Sequence, residues 1–188
     1  SGADWILVGQ EGVAEGGDGD DTLVGFDSAE LLGDDGNDWL AVFGNSKAFG
    51  GAGDDTILAV GGGSSYGGLV DGGDGNDWIF VVGGGTIRDI RGGAGNDVIG
   101  AWTDAFGIGL NSGRDNWAFI DAGLGDDIIL PGIAAGSEIW VGDGANTVYF
   151  SGDVLVHDMD TDDRVSWFGI TLTGGFRHGD SDSPWMSG

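Results

Sequence analysis

The sequence predicts an all-β fold, a parallel β-solenoid of about eight coils of 17–22 residues. Three observations predict it. A glycine-rich phrase, Gly-Gly-x-Gly-(Asp/Asn)-Asp, returns along the chain at near-constant spacing. An aliphatic residue stands two places after every copy. Helical periodicity is almost absent.

The phrases run in order as Gly16-Gly17-Asp18-Gly19-Asp20-Asp21, Gly33-Asp34-Asp35-Gly36-Asn37-Asp38 and Gly50-Gly51-Ala52-Gly53-Asp54-Asp55. Gly72-Gly73-Asp74-Gly75-Asn76-Asp77 and Gly92-Gly93-Ala94-Gly95-Asn96-Asp97 follow. A weaker copy, Ala122-Gly123-Leu124-Gly125-Asp126-Asp127, precedes a worn one, Val141-Gly142-Asp143-Gly144-Ala145-Asn146. With the last residue of each as a marker, the steps are 17, 17, 22, 20, 30 and 19 residues. Gly2-Ala3-Asp4-Trp5-Ile6 fits the end of an earlier copy, and Asp158–Val165 fits a closing turn.

Each coil has room for two short strands. The first follows the marker, as in Thr22-Leu23-Val24, Trp39-Leu40-Ala41-Val42, Thr56–Val60, Trp78–Val82, Asp127–Leu130 and Thr147–Phe150. The second precedes the phrase, as in Glu30-Leu31-Leu32, Lys47-Ala48-Phe49, Leu69-Val70, Asp89-Ile90-Arg91 and Ile139-Trp140-Val141. Two inward ladders result. One is Ile6, Leu23, Leu40, Ile57, Ile79, Ile99, Ile129, Val148 and Val165; the other is Ala14, Leu31, Ala48, Val70, Ile90, Ile120 and Ile139. Equal registers stacked on one another bury a continuous core one coil at a time. A flexible glycine linker would not keep such an offset. The solenoid is expected over 1–167, with an insertion at about 101–116 and a C-terminal tail or cap at 168–188. The opening Ser1-Gly2, without Met, reads either as an excised fragment of a larger protein or as a cloning remnant.

Composition narrows the function. The chain has 188 residues, 43 of them Gly, and a formal net charge of −26. Of 32 acidic residues only Glu11, Glu15, Glu30 and Glu138 are Glu. Short Asp suits turns and tight oxygen cages, whereas a merely solubilising acidic surface uses Glu freely. Six scattered cations argue against nucleic acid and against anionic lipid headgroups. Hydrophobic residues at 40%, including eight Trp, are enough for a core. Without added positive charge the collapsed chain would crowd its carboxylates. No Cys is present, which leaves a metal as the expected staple of a secreted domain. No apolar run reaches the length of a membrane span, and the N-terminus does not read as a signal peptide.

The phrase itself indicates the ion. Glycines at positions one, two and four permit backbone conformations closed to other residues, so successive carbonyl oxygens can point to alternate sides of the turn. The final Asp adds a carboxylate at the strand edge. Two stacked turns then enclose an all-oxygen cage of about six ligands, suited to a hard cation at about 2.3–2.6 Å. Calcium fits better than magnesium, because carbonyls on a flexible loop impose no tight octahedron. Zinc and copper fit poorly, with no Cys and with His157 and His178 standing alone.

These phrases resemble the glycine-rich nonapeptide of the RTX (repeats-in-toxin, haemolysin-type) calcium-binding proteins. The resemblance covers roughly residues 1–167, carries five near-complete copies and implies a calcium-loaded β-roll. It implies side-chain ligands at Asp21, Asp38, Asp55, Asp77, Asp97 and Asp127, with Asp4, Asn146 and Asp163 weaker. It also implies ligand oxygens from Gly16, Asp18, Asp20, Gly33, Asp35, Asn37, Gly50, Ala52, Asp54, Gly72, Asp74, Asn76, Gly92, Ala94, Asn96 and Asp126. Roughly four to eight calcium ions are expected. Family repeats commonly recur every nine residues; here one phrase occurs per coil. The expectation is a calcium ladder on one edge only, with ordinary loops such as Phe43-Gly44-Asn45-Ser46 and Gly61-Gly62-Gly63-Ser64-Ser65 opposite.

The residue after each marker should point outward. Trp5, Thr22, Trp39, Thr56, Trp78, Val98, Ile128 and Thr147 occupy those places, with Leu7, Val24, Ala41, Leu58 and Phe80 two further on. One sheet is therefore apolar on both faces. Its cover is the tail with Trp185, the insertion with Trp102 and Trp117, a neighbouring domain, a second copy or a ligand. Trp5, Trp39, Trp78 and Phe80 form a candidate binding face for polysaccharide, ice or another protein. Catalysis finds no nucleophile signature and no paired carboxylates outside the turns. The expected role is a structural, non-enzymatic module that calcium folds after secretion. The parent would be an extracellular or cell-surface toxin, adhesin, surface-layer protein or enzyme, and type I secretion is what the resemblance implies.

Overall fold

The computed structural model describes residues 1–61, 68–82, 87–102, 119–132, 137–150, 154–167 and 170–173. Every element among them is a strand. In chain order these are β1 (Trp5–Gly9), β2 (Val13–Asp18), β3 (Thr22–Phe26), β4 (Glu30–Asp35), β5 (Trp39–Phe43) and β6 (Lys47–Ala52). Then come β7 (Thr56–Val60), β8 (Gly68–Asp74), β9 (Trp78–Val82), β10 (Ile87–Ala94), β11 (Val98–Trp102) and β12 (Phe119–Leu124). The last are β13 (Ile128–Gly132), β14 (Ser137–Trp140), β15 (Thr147–Phe150), β16 (Val154–His157), β17 (Arg164–Trp167) and β18 (Ile170–Thr173).

Odd-numbered strands β1 to β17 stack in parallel into one sheet, and even-numbered strands β2 to β16 into the other. This is a parallel β-solenoid, as the repeats require. The first expected ladder holds rung by rung: Leu23 pairs Leu40, Leu40 pairs Ile57, Ile57 pairs Ile79, and Ile79 pairs Ile99. The second holds equally through Leu31, Ala48, Val70, Ile90, Ile120 and Ile139. All of these side chains are fully buried, so one apolar column runs between the sheets. The 30-residue step between Asp97 and Asp127 leaves the register untouched, since Ile99 still pairs Ile129. β11 runs on to Trp102; the remainder of the expected insertion lies outside the described residues.

Three features depart from the sequence expectation. The even-numbered strands up to β12 do not stop before the phrase, whereas β14 does. β4, β6, β8, β10 and β12 run through its first three positions, which confines the turn to positions four to six. A further interior ladder, Val42, Ala59 and Val81, lies four residues beyond the markers. At the C-terminal end, β18 reverses and pairs antiparallel with β17, Trp167 opposite Ile170. The reversal ends the parallel ladder of that sheet. The rest of the tail, 174–188, lies outside the described residues.

Candidate metal centre

The phrase edge is built from two oxygen ladders. In the inner one, each marker carboxylate accepts a hydrogen bond through Oδ1 from the main-chain N–H of the preceding marker. Asp21 donates to Asp38 at 2.7 Å, Asp38 to Asp55 at 2.7 Å, Asp55 to Asp77 at 2.8 Å, and Asp77 to Asp97 at 2.8 Å. The run continues from Asp97 to Asp127, from Asp127 to Asn146 and from Asn146 to Asp163. In the outer ladder, position-five side chains in solvent accept in the opposite sense, from the N–H of the following coil: Asp20 accepts from the Asn37 N–H, Asn37 from Asp54, Asp54 from Asn76, and Asn96 from Asp126.

The inner carboxylates carry a second oxygen with nothing to hold it. Oδ2 of Asp21, Asp38, Asp55, Asp77, Asp97 and Asp127 is buried and accepts no hydrogen bond. A buried, unpaired charged oxygen costs several kcal/mol, so six in a row require an explanation. The space each one faces is identifiable. A Cβ placed on Gly72 would collide with Asp77 Oδ2 on one side and the Gly92 carbonyl oxygen of the next coil on the other. Gly16, Gly33, Gly50 and Gly92 stand in the same relation to Asp21, Asp38, Asp55 and Asp97. Those five glycines leave open a cradle lined by a carboxylate oxygen and a carbonyl oxygen from the adjacent coil. The sixth copy has Ala122 at this position, so the row of glycine cradles stops at five.

Not every sequence-predicted ligand joins the cradles. The position-three carbonyls of Asp35, Ala52, Asp74 and Ala94 are already engaged, accepting from the N–H of Gly19, Gly36, Gly53 and Gly75 at 2.7–2.8 Å. The side chains of Asp18, Asp35 and Asp74 point to solvent, as do those of Asp20, Asn37, Asp54, Asn76, Asn96 and Asp126. At the closing turn both Asp163 oxygens are satisfied, Oδ1 by Asn146 and Oδ2 by the Asp160 N–H. Asp4 is exposed. Among the described residues no three acidic or His side chains gather into one cluster, so any cation here must draw largely on main-chain oxygens. The hydrogen-bond role of Oδ1 and the orphaned Oδ2 were not foreseen.

Electrostatics follow from burial. Desolvation raises the carboxyl of Asp55 and of Asp97 to about 7 and those of Asp77 and Asp127 to about 6. Asp38 is raised by the same cause. The N–H donated from the preceding coil opposes the rise, and neighbouring carboxylates add to it. A carboxyl raised in the folded state stabilises the fold below its unfolded value and loses that contribution as pH climbs through the folded value. The calcium-depleted chain is therefore expected to lose stability between about pH 4 and pH 8, each kcal/mol lost costing about 2–4 °C of Tm. Thermal unfolding followed by circular dichroism at pH 5 and pH 8, after passage over chelating resin, measures it; a higher Tm at pH 8 contradicts it.

Comparison with protein-family models, with curated proteins and with solved structures finds no match to this chain.

Proposed function

We propose that this chain is a calcium-binding structural module of RTX type whose folding is completed by the ion. The observation that carries the reading is the row of orphaned Asp Oδ2 atoms, five of the six facing a glycine cradle and a carbonyl from the next coil. Asp21, Asp38, Asp55, Asp77 and Asp97 would hold the ions, with the main-chain oxygens of Gly33, Gly50, Gly72, Gly92 and Ala122 contributing to the respective sets. A hard, oxygen-seeking dication supplies charge neutralisation there and ties adjacent coils together. Calcium suits such a mixed carbonyl and carboxylate set better than magnesium, which dehydrates reluctantly and demands a strict octahedron.

In this reading binding energy is folding energy. A site filled at ten times its dissociation constant adds about 1.4 kcal/mol, so several in register decide whether a chain with 26 excess negative charges folds. Low calcium keeps the chain loose by carboxylate repulsion; millimolar extracellular calcium closes it. On this reading the module belongs to a secreted or surface protein and is structural rather than catalytic. Equilibrium dialysis against calcium is expected to retain between four and eight ions per chain, the five cradles forming the tighter set. Retention of none, or of one, overturns the reading.

A further inference from the structure

The opposite chemistry occupies the outer face of the odd-numbered sheet. None of the residues in β1, β3, β5, β7, β9, β11, β13 and β15 is charged, in a molecule with 32 acids and six cations. Five consecutive coils place Trp5, Thr22, Trp39, Thr56 and Trp78 in one register row. The indoles are 67%, 40% and 54% exposed. Parallel strands lie about 4.8 Å apart, so successive Trp stand about 9.5 Å apart along the solenoid axis, each pair separated by a Thr.

We infer that this face binds an uncharged, extended β-1,4-linked hexopyranose polysaccharide, laid along the solenoid axis across Trp5, Trp39 and Trp78. The ring faces of such sugars carry C–H bonds, which suit the electron-rich face of an indole. In an extended β-1,4 chain every second residue presents the same face to one side, and that two-residue advance is close to two coil spacings. Thr22 and Thr56 stand between the Trp positions in this register row, and their hydroxyls can donate to and accept from sugar hydroxyls. Charge selects the occupant. A polyanion would be repelled by the molecule as a whole, and a second copy would bring two strongly acidic chains together. An uncharged polymer meets an uncharged face with neither penalty.

The inference does not rest on the calcium reading, because the row is set by strand register alone. Its test uses the full chain in calcium, with cello-oligosaccharides of increasing length followed by calorimetry and Trp fluorescence. Spanning two indoles takes about three sugars and spanning three about five, given the coil spacing. Affinity is therefore expected to rise at least ten-fold from the disaccharide to the hexasaccharide. Trp39→Ala is expected to weaken hexasaccharide binding at least ten-fold with the circular dichroism spectrum unchanged, while Trp39→Tyr retains most of it. Should Trp39→Ala disturb the fold, Trp5→Ala on the outermost coil serves in its place. Amylose, whose α-linked chain curls, is expected not to bind. The inference is overturned if no cello-oligosaccharide, cellulose or chitin binds, if amylose binds equally, or if Trp39→Ala binds as the parent does. A dimer in sedimentation that Trp39→Ala dissociates also overturns it. Loss of sugar binding alongside an intact calcium response leaves the calcium module standing.

Discussion

Gly75→Ala is expected to be among the most damaging single-methyl changes in the solenoid, costing about 3 kcal/mol or more. Gly75 sits at position four of the fourth phrase with φ +141°, a region that costs a residue with a side chain about 1–3 kcal/mol. Its added Cβ would also run into the Gly53 carbonyl oxygen of the preceding coil, a main-chain atom that no side-chain rotation can move aside. Relieving that collision means parting two coils. Parting them breaks the bond from the Gly53 N–H to the Asp74 carbonyl, 2.7 Å long. Overpacking of that kind adds about 1–3 kcal/mol. Urea unfolding in calcium measures the loss; an unchanged midpoint would mean the coils are not held as closely as described.

The second large effect has opposite signs in two solvents. Asp77→Asn keeps Oδ1 and with it the 2.8 Å bond from the Asp55 N–H. It replaces the orphaned Oδ2 by an amide that can donate toward the Gly92 carbonyl. In calcium-free buffer at pH 8 the variant is expected to be more stable than the parent by about 2 kcal/mol, because a carboxyl held at about 6 by burial no longer has to ionise there. In saturating calcium it is expected to be less stable, having lost one of the carboxylates that neutralise the ion. Asp77→Ala isolates the two roles. It removes Oδ1 as well, strands the buried Asp55 N–H and should destabilise in both buffers by about 1–3 kcal/mol. Urea curves in calcium, and the β signal at pH 8 in chelator where the parent is only weakly folded, check all three chains, and equal behaviour of Asn and Ala would contradict the division of labour between Oδ1 and Oδ2. Asn146 already occupies this ladder naturally, accepting from the Asp127 N–H at 2.9 Å.

Much of this was legible in the sequence, for a physical reason. A solenoid repeats its environment every coil, so Ile57, Ile79 and Ile99 declare by their spacing alone that they share one buried column. The same logic located the marker carboxylates. The ladder Val42–Ala59–Val81 was missed because Gly25 occupies the same register one coil earlier, which blurs the pattern. The division of each carboxylate into a bonded and an orphaned oxygen was missed because it depends on where a neighbouring coil's N–H points. Residues 17 to 30 positions away supply that N–H, and no local signal encodes its direction. The entry of the strand into the phrase was hidden by glycine, whose low strand propensity masks pairing dictated by the flanking coils. Asp34 is a comparable case: it takes φ 74° at position two, where the other intact copies use glycine.

The central claim is that a cation completes this fold, and the most direct measurement is far-ultraviolet circular dichroism of the metal-free chain titrated with calcium and, separately, with magnesium. The account predicts a weak β signal at pH 8 without metal and a cooperative rise with calcium in the micromolar to millimolar range, with magnesium far less effective. A chain fully folded in chelator at that pH, or one indifferent to calcium, would contradict it and leave the buried carboxylate ladder without its counter-charge.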